Sequence, residues 1–282
     1  MKKFLAVMLS LAMVLAMTAC AKEKPQEEPK TTEAPKEQVE VVVFAAASMT
    51  ETLNEIAEQY KAVAPNVKLT FNFDSSGTLK TQIQEGADCD IFISAAQKQM
   101  NAMDATQDAE KNPDSLDLIL SDTRVDLLEN KVTLAVTEEN AKGIKNFDDL
   151  AKRLASDKIL LAMGNEDVPV GQYTQKILDF YKLSEKKLAD QGKITYASNV
   201  KEVTTQVSEG TVDCGIIYCT DAFSAGLKVV DYATPEMCGQ VIYPAALIKT
   251  TKHQAEAQAF LDYLQTEKAM KVFEKVGFAA VK

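Results

Sequence analysis

Histidine, arginine and metal-binding cysteine patterns are scarce in this chain of 282 residues. One histidine, His253, and the lack of any C-x-x-C motif leave no set of residues typical of a zinc site or metal cluster. Two arginines, Arg124 and Arg153, lie outside the candidate ligand loops, which argues against a bidentate arginine clamp on an anion. The G-x-S-x-G motif of serine hydrolases is absent as well. Metal-cluster and hydrolase chemistry are therefore poorly supported.

The composition is that of a folded, acidic protein. Hydrophobic residues make up 46% of the chain, and its length is sufficient for two compact domains. The formal net charge of −10 repels nucleic acid and anionic lipid headgroups, so we expect no nucleic-acid partner. The same charge would repel an anionic ligand at long range. An anion site in this chain would have to act through short-range hydrogen bonds.

The N-terminus has the pattern of a secretory signal peptide. Two lysines at positions 2–3 precede an apolar run over residues 4–17 and a small-residue stop before Cys20. We therefore predict a signal peptide at residues 1–19. Cys20 follows Thr-Ala and resembles the lipidated cysteine of bacterial lipoproteins, the alternative being an ordinary secretory signal with an incidental cysteine. The first interpretation predicts a lipid-anchored protein at the extracytoplasmic face of the bacterial cell membrane.

Residues 20–39 are predicted to form a disordered tether from lipidated Cys20. The segment consists largely of Lys, Glu, Thr, Gln and Pro and has too few apolar residues to build a core. Cys89, Cys214, Cys219 and Cys238 remain in the body of the protein. In an oxidising compartment they could pair as disulfides or stay buried as free thiols, and their spacing favours neither.

Two segments repeat one arrangement near the start of the body. A β-rich run at residues 41–48 leads into a helix pattern, and a second run at 69–73 leads through Asp-Ser-Ser-Gly-Thr into another. Each places a serine where a helix N-cap belongs. A third strand pattern at 90–94 completes three β-α units, which indicate a parallel sheet with helices on both faces. Helix starts present unpaired N–H groups, so two of them facing one cleft could hold a small anion.

The rest of the chain continues this alternation. The polar segment 165–171 is predicted to be a loop, and residues 255–276 one long helix with a break. The candidate loops follow strands, at the edge where open α/β sheets bind ligands. The other predicted strands are 132–136, 159–163, 194–197, 214–218, 227–231 and 241–248, and the other predicted helices are 147–154, 172–181 and 200–209.

Five motifs, in this order, resemble the molybdate-binding proteins of ABC importers. The resemblance runs from about Val41 to Phe278. Gly77 stands where the family commonly has a hydroxyl residue, and Val170 where it often has alanine. The motifs are Phe-Ala-Ala-Ala-Ser at 44–48, Asp-Ser-Ser-Gly-Thr-Leu at 74–79, the run 87–95, Val-Pro-Val-Gly at 168–171 and the run 215–222.

The resemblance implies an α/β fold of the type II periplasmic-binding-protein class. This fold has two α/β lobes with a ligand cleft between them and two hinge crossovers. The implied boundaries place residues 40–128 and 225–282 in the first lobe and residues 129–224 in the second. The protein is expected to be a monomer and not an enzyme, and to need no cofactor.

The resemblance also implies the ligand residues. The serines match Ser48 and Ser76, the backbone N–H donors match Val170 and Val200, and the tyrosine hydroxyl matches Tyr218. The match at Val200 could be shifted by one residue. Taken singly, each serine could be only a helix cap, Tyr218 a half-buried strand residue, and the two valines packing residues.

The implied function is capture of molybdate, and of tungstate as well, for delivery to the membrane permease of an ABC importer. Molybdate carries no proton at neutral pH, so its site should offer hydrogen-bond donors only. Sulfate or phosphate in the same fold is the alternative, although phosphate would favour a carboxylate acceptor in the site. A hydrolase using Ser48 is a remote alternative, since His253 lies in a polar stretch.

Overall fold

The computed structural model describes residues 37–156 and 159–281. The predicted signal peptide, Cys20 and nearly all of the predicted tether lie outside the described residues. The first strand begins at Val39, so the ordered body starts one residue earlier than predicted. Among the described helices, none has the length and hydrophobicity that a membrane span requires.

In the described residues, ten strands form two sheets. Several central strands are buried along their whole length, which explains why they read as continuous apolar runs rather than as alternating patterns. The strands are Val39–Ala46 (β1), Val67–Asp74 (β2), Ile91–Ile93 (β3), Val125–Asn130 (β4), Val132–Val136 (β5), Leu161–Gly164 (β6), Ile194–Ala197 (β7), Cys214–Tyr218 (β8), Lys228–Tyr232 (β9) and Val241–Leu247 (β10).

Both sheets have five strands and mixed direction. The first has the order β2-β1-β3-β10-β4, in which β1 runs parallel to β2 and β3 while β10 is antiparallel to its neighbours. The second has the order β7-β6-β8-β5-β9, in which β6 is parallel to β7 and β8 while β5 is antiparallel to its neighbours. The predicted parallel arrangement holds for three strands of each sheet.

Helices pack against the sheets through amphipathic faces. In α1, for example, Leu53, Ile56 and Tyr60 are buried at helical spacing. The predicted break in the last helix is confirmed, because one helix ends at Leu264 and the next begins at Glu267. The helices are Thr50–Tyr60 (α1), Ser76–Gln84 (α2), Gln97–Asn101 (α3), Phe147–Ser156 (α4), Pro169–Phe180 (α5), Glu185–Asp190 (α6), Val200–Ser208 (α7), Cys219–Ser224 (α8), Pro235–Cys238 (α9), Gln254–Leu264 (α10) and Glu267–Val276 (α11).

The chain passes between the two sheets twice. The first crossover is at Lys131, between β4 and β5, and the second covers residues 233–240, between β9 and β10. The predicted type II architecture with two α/β lobes is confirmed.

The predicted lobe boundaries need correction. The boundary at residue 225 would assign β9 to the first lobe, but β9 pairs with β5 in the second sheet. The boundary at 128/129 would cut through β4, which pairs with β10 to its last residue, Asn130. The sequence of a short apolar strand does not show which sheet it joins. The true lobe boundaries are therefore visible only in the strand pairing of the structure.

The four cysteines within the described residues are free thiols. Cys89, Cys214 and Cys238 are buried, and Cys219 is partly exposed. Burial raises the pKa of all four thiols, which keeps them protonated and unreactive at neutral pH. Of the two states that the sequence left open, the structure has the unpaired one.

Candidate functional site

One small cavity between the two lobes is lined by all five predicted ligand residues. Ser48 and Ser76 come from the first lobe, and Val170, Val200 and Tyr218 from the second. Each follows or ends a strand, so all five lie at the carboxyl edges of the two sheets. The cavity has a volume of about 10 Å³, which is space for about one water-sized sphere.

The serine hydroxyls are held by buried partners. Ser48 Oγ lies 2.9 Å from the Tyr243 hydroxyl. Ser76 Oγ accepts a hydrogen bond of 2.9 Å from the backbone N–H of Ala95. Since that N–H can only donate, the Ser76 proton remains available for an acceptor in the cavity.

The interpretation of these serines as helix caps is wrong. Helix α2 is capped by Ser75, whose Oγ accepts from the Thr78 N–H at 3.1 Å, and Ser76 is the first helical residue. Ser48 lies in a short 3-10 turn before α1, and the N-cap position of α1 is Met49. The two ligand candidates are therefore not used as caps.

Two helix starts supply the backbone donors. Val200 is the first residue of α7, which is capped by Asn199 through a 3.1 Å bond to the Glu202 N–H. Val170 is the second residue of α5. At these positions the N–H has no carbonyl of its own helix to bind, and the positive end of the helix dipole lies there.

The predicted start of α5 needs correction. The segment 165–171 reads as a loop, yet Pro169 to Gly171 already form the first helical turn. Proline is favoured at the first helical position because its missing N–H and fixed φ cost nothing there. The earlier start turns the Val170 N–H from a loop group into a helix-terminal donor.

Tyr218 has a buried hydroxyl with no hydrogen-bond partner among the described residues. The side chain is 1% exposed, and its ring packs edge-on against Tyr173 and Tyr243. Burial raises the pKa of Tyr218 well above its usual value, so the phenol keeps its proton. An unsatisfied buried hydroxyl is costly, and here it borders the cavity between the lobes. The half-buried alternative for this residue is wrong.

The charged groups nearby are engaged with each other. Lys201 Nζ, beside Val200, lies 2.8 Å from Glu51 of the first lobe and 3.2 Å from Asp221 of the second. Asp74 also lines the cavity, and its Oδ1 accepts from the Ser75 N–H at 2.7 Å and from Asn199 at 3.4 Å. Lys201 joins the two lobes by an ion pair, and Asn199 joins them by a hydrogen bond.

The two arginines lie elsewhere, as the sequence indicated. Arg124 pairs with Asp104 at 2.7 Å and Arg153 with Asp149 at 3.0 Å. Neither lines the cavity. Apart from Asp74, the cavity is lined by neutral residues, and no arginine clamp is present among them.

A close approach between the lobes depends on Gly77. A Cβ atom at this position would lie 2.2 Å from the backbone carbonyl oxygen of Asp167 in the second lobe. Such a contact is shorter than any packing distance, so a side chain at residue 77 would force the lobes apart. The hydroxyl that the family commonly has here would not fit this arrangement.

Sequence reasoning missed Tyr243 and Asn130, which complete the surroundings of Ser48. Both are buried, and Asn130 donates to the Tyr243 hydroxyl at 3.1 Å. Tyr243 reads only as a residue of an apolar strand, and Asn130 as a turn residue. No spacing in the sequence connects either of them with Ser48.

A second, larger cavity lies beside the crossovers. Its volume is about 910 Å³, and its lining includes Lys131, Tyr232 and Thr234. None of the five predicted ligand residues lines it. Size alone would favour this cavity, but the convergent donors are in the smaller one.

Comparison with known proteins gives relatives over most of the chain. It is 33% identical over 280 residues, 99% of each chain, to YvgL of Bacillus subtilis (strain 168), which is named as a candidate ABC transporter substrate-binding lipoprotein. It is 33% identical over 245 residues to the molybdate-binding protein ModA of Haemophilus influenzae, covering 85% of this chain and 90% of that protein.

A solved structure agrees with these relatives. The substrate-binding domain of a candidate molybdenum ABC transporter from Clostridium difficile has a TM-score of 0.60 and 35% identity, covering 86% of this chain and 99% of that one. The model of one family, described as bacterial extracellular solute-binding protein, matches residues 41–279. This match covers nearly the whole described body, and the two mixed α/β lobes with a cavity between them agree with it. The chain belongs to the bacterial extracellular solute-binding proteins.

Proposed function

We propose that this protein captures molybdate, and tungstate as well, outside the cytoplasm and delivers it to the membrane permease of an ABC importer. The observation that carries the proposal is the donor set of the small cavity. Two serines, two helix-start residues and Tyr218, whose hydroxyl has no partner among the described residues, line one space between the lobes. Relatives named as molybdate-binding proteins support the choice of ligand.

The donor set suits an oxyanion that carries no proton. Each oxygen of such an anion accepts hydrogen bonds, and bonds to a charged acceptor are about twice as strong as neutral ones. A protonated phosphate would need an acceptor in the site. Asp74, which lines the cavity, uses its Oδ1 to accept two hydrogen bonds from protein groups. The set of donors, rather than this carboxylate, favours molybdate over phosphate.

Binding would require the lobes to move. Ser76 and Tyr218 are 0% and 1% exposed, so an anion cannot reach them from solvent while the lobes are closed as in this structure. We propose that the lobes separate by bending at Lys131 and residues 233–240, admit the anion and close over it. Closure would exclude water and strengthen each hydrogen bond, because the local dielectric falls.

The N-terminal sequence supports a location at the outer face of the cell membrane. Lipidation at Cys20 after removal of residues 1–19 would hold the protein at the outer face of the membrane, with residues 20–38 as the tether. The name of the Bacillus subtilis relative, which includes the word lipoprotein, supports this proposal. We further propose that the protein acts as a monomer.

Isothermal titration with an oxyanion series tests the function. We expect tight binding of molybdate and tungstate and much weaker binding of sulfate and phosphate. Ser48→Ala and Tyr218→Phe should each weaken molybdate binding about ten- to a hundredfold, since a hydrogen bond to a charged group contributes about 1.5–3 kcal/mol.

Matched controls make the same chemical changes away from the cavity. Tyr196→Phe removes an exposed hydroxyl that bonds Glu185, and Ser208→Ala removes one that bonds its own helix. Both variants should bind molybdate as the wild type does. Sulfate or phosphate binding as tight as molybdate binding would contradict the proposed ligand.

A further inference from the structure

A chain of buried hydrogen bonds runs from the first crossover to Ser48. Asn130, the last residue of β4, bonds Tyr243 on β10, and Tyr243 bonds Ser48. All three side chains are buried, with Tyr243 0% and Asn130 3% exposed. Buried polar chains of this kind have strict donor and acceptor requirements, because each unmatched group is costly.

The orientation of the Asn130 amide is set by two donors. Its Oδ1 accepts from the Lys131 backbone N–H at 2.7 Å and from the Cys219 thiol at 3.2 Å. A backbone N–H can only donate, so the amide oxygen must face it. The Nδ2 group therefore points the other way, where it lies 3.1 Å from both Thr220 Oγ1 and Tyr243 Oη.

This orientation favours one direction for the next bond. Both Nδ2 protons of Asn130 are used, one on Thr220 and one on the Tyr243 oxygen. Either hydroxyl could donate in the 2.9 Å bond between Tyr243 and Ser48. Because the Tyr243 oxygen already accepts from Asn130, we assign the Tyr243 proton to Ser48 Oγ. Ser48 accepts from Tyr243, and its own proton is left to point into the cavity.

We propose that Tyr243 and Asn130 are positioning residues that hold the Ser48 hydroxyl as a donor toward the bound anion. The inference deepens the proposed function and rests on it, since it assigns how one ligand residue is oriented. The two serines then reach the same state by different means: Ser76 accepts from the Ala95 N–H, and Ser48 accepts from Tyr243. The hydroxyls of Ser48 and Ser76 in the first lobe are therefore oriented to donate before the anion binds.

Preset donors favour an anion whose oxygens are all acceptors. A protonated oxyanion would have to direct its own O–H at a group that already points a proton toward it. The Asn130–Tyr243 pair therefore acts on selectivity as well as on affinity, although neither residue lines the cavity.

A double-mutant cycle on molybdate affinity tests the assignment. The variants are Tyr243→Phe, Ser48→Ala and the combination of the two. Phenylalanine keeps the ring that packs against Tyr218 and Phe278 and removes only the hydroxyl. We expect Tyr243→Phe to weaken molybdate binding about tenfold in the Ser48 background and to have no further effect once Ser48 is alanine.

Thermal unfolding separates this role from a structural one. Loss of the Tyr243 hydroxyl leaves an Asn130 N–H unsatisfied, so the midpoint of unfolding should fall in both backgrounds. The loss of binding should appear in only one. Tyr173→Phe is the matched control, because Tyr173 also packs against Tyr218 while its hydroxyl points to the Gln240 carbonyl. We expect its molybdate affinity to equal that of the wild type.

The outcomes are distinct. Unchanged affinity in Tyr243→Phe, or a loss of equal size with and without Ser48, would overturn the positioning role and leave molybdate binding standing. A wild-type protein that binds no molybdate would overturn the proposed function itself. If Tyr243→Phe does not fold, the same cycle with Asn130→Ala decides, with an expected loss of about threefold that also depends on Ser48.

Discussion

The two lobes contribute to the cavity in different chemical ways. The first lobe offers side-chain hydroxyls, Ser48 and Ser76, whose orientation depends on other residues. The second lobe offers backbone N–H groups at the starts of α5 and α7, together with the Tyr218 hydroxyl. A hydroxyl can donate or accept, whereas a helix-start N–H can only donate and points along its helix.

This difference predicts where each half can tolerate mutation. A backbone donor survives most changes of its own side chain, provided that the helix still starts at the same residue. A hydroxyl donor is lost with its side chain and is altered when its partner changes. The first lobe should therefore be sensitive at several residues around each serine, and the second mainly at Tyr218 and at the helix starts.

The largest loss of molybdate affinity should come from a variant that keeps the two lobes apart. Gly77→Val would place a branched side chain against the Asp167 backbone, where even a Cβ would lie at 2.2 Å. Because backbone cannot rotate away as a side chain does, we expect the closed arrangement to be lost and molybdate affinity to fall at least about a thousandfold, or about 4 kcal/mol. Titration calorimetry measures this change.

The control for this variant is Gln84→Val, on the exposed end of the same helix. It introduces the same residue without an interlobe contact and should bind molybdate normally. Small-angle scattering in the presence of molybdate should show a more extended Gly77→Val protein. Normal affinity in that variant would show that the lobes need not approach as closely as in this structure.

A second test concerns Lys201, because the carboxylates that it contacts in the two lobes differ in burial. Lys201 lies between the fully buried Asp221 side chain of the second lobe and Glu51 of the first, whose side chain is 50% exposed. Burial raises the pKa of Asp221 to about 6, although Lys201 opposes the shift. The folded state thus favours the protonated carboxyl. The stabilisation of the folded state by protonated Asp221 is complete below about pH 4 and is lost as the pH rises through about 6.

Asp221→Asn should remove this dependence. Between pH 4 and pH 7 the free energy of unfolding of the wild type should fall by about 2–3 kcal/mol relative to the variant. Urea unfolding at several pH values measures the difference. Asp179→Asn, at an exposed position of α5, is the control and should follow the wild type. Parallel pH profiles of wild type and Asp221→Asn would mean that this carboxyl is not perturbed.

The smallest effect is expected at the backbone donors. Val170→Ala keeps the N–H and removes two buried methyl groups, so its molybdate affinity should stay within about twofold of the wild type. Stability should fall by about 1–2 kcal/mol from the lost burial. Ser48→Ala, by contrast, should lose affinity about ten- to a hundredfold, and its stability should fall too because the buried Tyr243 hydroxyl loses its acceptor. An equal loss of affinity in both variants would remove the distinction between the two halves.

Much of the fold could be predicted because local pattern and burial agree. The buried runs of β5 and β8 were readable because these strands are apolar along their length, and β2 was readable because apolar and polar residues alternate along it. Strand β4 and the helices α6, α8 and α9 were not predicted. The predicted boundary at residue 225 places β9 in the wrong lobe, because pairing between distant strands leaves no periodic pattern in the sequence.

The site was predicted unevenly for similar reasons. Motifs marked the loops that carry Ser48, Ser76, Val170, Val200 and Tyr218, and the structure brings these residues to one cavity. Their roles as ligands stay predictions. The capping interpretation failed at Ser76 because the neighbouring Ser75 takes the N-cap of α2. It failed at Ser48 because a short 3-10 turn precedes α1 and moves the N-cap to Met49.

By itself, the sequence determined most of the strands and helices and the donors at their ends, because periodicity, apolar runs and helix-start residues act over a few neighbours. Only the tertiary structure decided that the ends of separate strands meet, that Gly77 lies against Asp167, and that Asn130 and Tyr243 orient Ser48. These contacts join residues up to 195 positions apart. A hydrogen bond's direction depends on every partner in three dimensions, and no local pattern contains that information.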